Sequence, residues 1–114
     1  MTLINRAVML VTPKAPHLTW MKSVAPDFDG DPGERTAYLI PEYETPDEVE
    51  EILGQVWEFI FEEELESWDR LPSNWPAPRT LAMFREHFDI EVCSIVEDLC
   101  EWEIERDSFG DDAE

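Results

Sequence analysis

Thr45-Pro46-Asp47-Glu48-Val49-Glu50-Glu51-Ile52-Leu53-Gly54-Gln55-Val56-Trp57-Glu58-Phe59-Ile60 opens a proline-free run that ends only at Pro72. Thr45 offers a hydroxyl to an unpaired first-turn amide, and Pro46 fits the first helical position, where an N–H has no partner anyway. Asp47 and Glu48 meet the positive end of the helix dipole. The spacing predicts a helix from about residue 46 to the mid-60s. Val49, Ile52, Leu53, Val56 and Ile60 form one apolar stripe, and Trp57, Phe61, Leu65 and Trp68 form a second, rotated to one side. A face this wide has to be covered by another layer, which makes this the central helix.

Working outward, Thr36-Ala37-Tyr38-Leu39-Ile40 reads as a strand closed by Pro41, and Leu3 to Val11 as a buried strand ended by Thr12-Pro13. Residues 16–24 between them suit a short helix with Leu18, Met21 and Trp20 inward. Ala25 to Arg35, rich in Asp, Gly and Pro, is a loop. Downstream, Leu71 to Pro78 carries three prolines and interrupts the pattern. Helical spacing resumes over 79–88. Residues 89–96 read as a β-branched strand, and 101–105, alternating at period two, as an edge strand. These elements give a single α+β domain over residues 1–106 and an acidic tail over 107–114. The expected architecture has two layers: a mixed sheet of three or four strands with helices mainly on one face. The 12–35 link is long enough for a right-handed parallel crossover. An α/β arrangement with helices on both faces is the alternative.

The chain has 114 residues, 43% of them hydrophobic and 13 of them aromatic (5 Trp, 6 Phe, 2 Tyr), a composition that folds rather than staying disordered. Its 28 acidic residues against 8 basic ones leave a net charge of −20. That balance argues against direct binding to nucleic acid or an anionic membrane, both of which need a positive footprint. No apolar run is long enough for a membrane span, and no signal-peptide pattern opens the chain. A cytoplasmic protein with reduced thiols is expected. Cys93 and Cys100 are too few for a disulfide framework.

Arg6 to Lys14, Ala37 to Tyr43, Phe59 to Trp68 and Asn74 to Phe84 together resemble a family of small acidic bacterial proteins that has no assigned activity. The likeness covers most of the chain outside the 25–35 loop and the tail. It implies a bacterial domain and brings no cofactor or catalytic residue.

Three constellations carry chemistry. Glu64 points between the two stripes of the long helix, while Glu62 and Glu66 point outward. Either it meets a cation or polar pocket supplied by Arg79, Arg85 or His87, or the helix bends near residue 62 and Glu64 is hydrated. Trp68, Trp75, Arg79 and Arg85 form a candidate aromatic-basic docking island, since Trp and Arg dominate binding hot spots. The alternative is that both tryptophans cap the core. Cys93, with His87 or His17 as base, is the one candidate nucleophile pair, but its apolar surroundings favour a buried, inert thiol. Glu62, Glu63, Glu64 and Glu66 lack the histidine pairs of a di-metal bundle, and Asp27 to Asp31 lacks the closing glutamate of a calcium loop. No metal, cofactor or catalytic residue is assigned.

These features favour a non-enzymatic interaction or regulatory domain with a basic protein partner. Residues 42–69 hold 12 acids and no base, which supports a second reading as a nucleic-acid mimic that occupies a DNA- or RNA-binding protein. A third is a small-molecule site or enzyme built on Glu64, Arg79, Arg85 and His87.

Overall fold

The computed structural model describes residues 2–106, so the acidic tail at 107–114 lies outside the described residues. Short β1 (Thr2–Leu3) precedes β2 (Ala7–Pro13), α1 (Ala15–Val24), β3 (Thr36–Ile40), α2 (Pro46–Glu66), a single 3-10 turn at Pro72–Asn74, α3 (Leu81–His87), β4 (Phe88–Cys93) and short β5 (Glu97–Asp98). The class is α+β, as expected.

The sheet departs from the expected mixed one. β2 is central in the order β3-β2-β4 and pairs antiparallel with both neighbours. The crossover fails because the excursion from β2 to β3 never travels along the sheet. Its two ends are neighbours, with Val11 opposite Thr36. Phe28 N–H returns to the Ala25 carbonyl, folding the loop back onto the end of α1. A chain that re-enters a sheet at the end it left must run antiparallel.

Past β2 and β4 the same pair of segments continues as β1 and β5. Val8 faces Cys93, while Leu3 faces Glu97, so five residues on one side are matched by four on the other. That slip is a bulge, and it carries the two-stranded ladder beyond the main sheet as an arm. The expected edge strand at 101–105 does not form. Among the described residues, pairing reaches Asp98 opposite Thr2, and 101–105 is irregular.

Strand alternation decides what is buried. Ala7, Met9 and Val11 of β2, with Ile40 of β3 and Phe88 of β4, point into the core against Ile52, Leu53, Ile60, Phe61 and Leu65 of α2 and Phe84 of α3. Both stripes read along α2 therefore face inward, with Trp57 and Trp68 half-buried at the margin. α1 turns differently from expectation: His17 and Met21 are its buried residues, and Leu18 and Trp20 are only half-buried.

The caps explain the helix starts. Thr45 accepts from the Glu48 amide, and the Glu48 carboxylate in turn accepts from the Glu44 amide at 2.6 Å. Thr80 does the same for Met83 at the start of α3. One position of α2 works against the helix. Gly54 sits on its exposed side with nothing within 4 Å of where a Cβ would lie. Gly54→Ala is expected to stabilise the domain by about 0.8–1 kcal/mol, read as a higher melting temperature with an unchanged circular-dichroism spectrum.

Candidate functional site

The grouping of Glu64 with Arg79, Arg85 and His87 is not what the fold assembles. Arg79 donates to the Pro76 carbonyl at 3.0 Å and lies over the Trp75 ring, 5.4 Å from its centroid. Arg85 pairs with Glu50 at 2.6 Å on the exposed side of α2. His87, the last residue of α3, turns into the core. Arg79 is held by its own loop, Arg85 by Glu50 and His87 by His17, and Glu64 is bonded to none of them.

Glu64 takes Tyr38 instead. α2 stays helical to Glu66, which leaves Glu64 half-buried over β3, and its Oε2 accepts from the Tyr38 hydroxyl at 2.7 Å. Burial, that hydrogen bond and the carboxylates of Glu64 and Glu63 raise the phenol above its ordinary pKa, so Tyr38 remains the donor. No sequence pattern pairs the two residues; the sheet register and the angle of α2 do.

The aromatic-basic island is likewise divided. Trp75 and Arg79 remain stacked, with the Trp75 indole donating to the Asp69 carbonyl at 2.7 Å. Trp68 packs edge-on against Phe28 of the 25–35 loop, centroids 4.8 Å apart. Arg85 of α3 stands apart, tied to Glu50 of α2.

His17 and His87 form a buried pair that sequence reading missed. Their Nδ1 atoms are 3.2 Å apart, bridging α1 and α3. The same junction is tied by the Lys14 amide to the His87 carbonyl and by Lys14 Nζ to the Arg85 carbonyl. His17 Nε2 is buried without a partner. A bare lone pair costs less there than an orphaned N–H, so we assign His17 as donor and His87 as acceptor. Burial, and then the neighbouring His87, lower the His17 pKa to about 3. Burial also lowers that of His87, against an opposing pull from Glu86. The one available signal was the i, i+4 spacing of His17 and Met21 on α1.

Cys93 is not the buried thiol expected. It is exposed, and its Sγ donates to the Ile95 carbonyl at 3.4 Å. Register is the reason: with Phe88 and Ile90 inward, Asp89, Glu91 and Cys93 must point outward. Both histidines are engaged with each other rather than with Cys93.

The outer face of the sheet is the most unusual surface. Val8 and Leu10 of β2 line up with Leu39 and Ala37 of β3 and with Cys93 and Glu91 of β4. The helices lie on the other face, and Leu39 is 56% exposed. The arm and the segment after it add Leu3, Ile95, Leu99, Trp102 and Ile104, with Trp102 75% exposed. Acids surround these apolar groups: residues 88–105 hold seven Asp and Glu and no Lys or Arg.

Compared with known proteins, the chain matches no family model, no curated protein and no solved structure. Roles must therefore come from geometry. Among the described residues, no three His, Cys, Asp or Glu side chains converge as metal ligands do, and no helix is long and apolar enough to cross a membrane.

Proposed function

We propose that this protein is a non-enzymatic interaction domain that docks a basic protein partner on the outer face of its sheet and the adjoining arm. The observation that carries this reading is the apolar outer sheet face, with half-buried Val8 and Leu10 and exposed Leu39, together with exposed Ile95, Leu99 and Trp102 in and after the arm. Contiguous apolar surface on a folded protein marks an interface more often than chance exposure. The acids around it select the partner: a second copy with charge −20 would be repelled, whereas a basic rim on a different protein is attracted. Trp102 supplies the large aromatic anchor typical of interface centres. The expected docking island at Trp68, Trp75, Arg79 and Arg85 gives way to this surface because its members lie in separate local contacts.

The test is affinity capture from host lysate at low and high salt, with three baits. Wild-type protein is expected to retain a basic protein that elutes as salt rises. Leu39→Ser with Trp102→Ser is expected to lose it, while Glu51→Lys with Glu58→Lys on the exposed side of α2 keeps it. The reverse pattern, with binding lost only in the α2 variant, would favour the nucleic-acid mimic, whose acids lie along that helix. No salt-sensitive protein on any bait sinks both readings.

A further inference from the structure

A cleft of about 560 Å³ opens on the helical side, between the end of α1, the 25–35 loop, the start of β3 and the end of α2. Cavities of roughly 300–1,000 Å³ are the size that holds small organic molecules. An apolar arm of about 190 Å³ shares the Met21, Phe28 and Trp68 walls and runs on past Leu18. The two parts differ in chemistry. Glu64, Ser67 and Thr36 line the wider one with the charged groups of Asp31, Glu34 and Arg35, whereas the arm is lined by hydrocarbon and indole except for Lys22.

Two features give the cleft a built form. Phe28 and Trp68 meet edge-on at 84°, and both line the wider cleft and the arm. The Phe28 ring folds over Gly30, where a Cβ would come 2.5 Å from its Cζ, so only a glycine lets it lie there without moving. Glu64 is then fixed by Tyr38 on one oxygen, which leaves the other free to receive a charge or a donor. Half-buried as it is, this carboxylate is screened less by water than the exposed Asp31, Glu34 and Arg35 at the rim. Lys22, the one charged residue lining the arm, is also exposed, and neither it nor Arg35 forms an ion pair among the described residues.

We propose that this cleft binds an organic ammonium ion, its cationic head between Glu64 and Trp68 and its apolar body in the arm beside Leu18 and Phe28. An indole face attracts a cation, and the hydrocarbon walls take the apolar body behind it. An anionic head would meet the least screened negative charge of the cleft. The proposal uses none of the residues of the sheet's outer face, so it stands or falls separately from the interaction reading.

Chemical-shift titration of the full chain tests it, with phenethylammonium as probe and 3-phenylpropionate as its anionic counterpart. The amine is expected to give saturable shifts at the Trp68 indole N–H and the Ser67 and Glu34 amides, and the acid none. Glu64→Gln keeps an acceptor for Tyr38, so the fold is retained, and affinity should drop about tenfold. Gly30→Ala displaces the Phe28 ring without touching the core and should weaken binding about threefold at an unchanged melting temperature. Nα-acetyl-lysine methylamide separates the two sources of such a group: if it binds more tightly than phenethylammonium, the ligand is a partner's lysine, and if more weakly, a free amine. Absence of saturable shifts with either amine up to about 20 mM overturns the proposal, as do equal shifts from the acid or unchanged affinity in both variants.

Discussion

Phe61→Ala is expected to lower stability by about 3–5 kcal/mol, among the largest losses expected of a single substitution in this domain. Phe61 is completely buried on α2. Its ring meets Phe84 at 5.5 Å, Phe88 at 5.7 Å and His87 at 5.4 Å, so it joins α2 to α3 and to the first residue of β4. Truncation removes the transfer energy of the ring and also leaves a cavity that α3, pinned by the His17–His87 bond, is poorly placed to fill. Domains of this size are stable by roughly 5–15 kcal/mol, so the variant sits near the edge of folding. Urea titration should show a large fall in midpoint at an unchanged slope. A loss below about 1 kcal/mol would mean that the three elements do not meet at this ring.

Lowering the pH from 7.5 to 5.5 is expected to destabilise the protein through its buried histidines. His17 has a pKa of about 3 in the folded state against the ordinary 6.5 of the unfolded chain. Below pH 6.5 the unfolded state therefore binds a proton that the folded state refuses. Stability is full above that value and falls as pH drops, down to the folded pKa. Between pH 7.5 and 5.5 His17 alone accounts for about 1.4 kcal/mol, and His87, lowered by burial too, adds in the same direction. Melting temperature should fall by roughly 6 °C across that window. His17→Gln, although less stable at pH 7.5, should show a shallower dependence. An equal slope in the variant would place the acid sensitivity elsewhere.

Local rules were enough for most of the elements. The Thr45-Pro46 start and the two stripes of α2, the Pro-bounded strand at 36–40 and the loop at 25–35 all follow from side-chain geometry within a few residues, and all form as read. Misreadings occurred where the partner was distant. The strand at 3–11 splits because a bulge opposite residues 94–96 breaks the ladder, and a bulge is a property of two strands together. Cys93 reads as core from its own neighbours, yet register against β2 sends it outward. Glu64 was recognisable as anomalous from its position between the stripes. Its partner was not, because Tyr38 lies 26 residues earlier and in a strand.

What this sequence determined by itself is the inventory: a helix with a wide apolar face, strands to cover it, a loop, and a charge that shapes the choice of partners. Periodicity, capping chemistry and charge are all local or summed quantities, so they can be read without knowing the fold. Tertiary structure alone decided that the sheet is antiparallel throughout, that His17 meets His87 across 70 residues, and that Glu64, Phe28 and Trp68 line one cleft. Each of these depends on how distant segments share the space around one core. The free energy of such contacts appears only when both partners are in place, and no single stretch of chain records it.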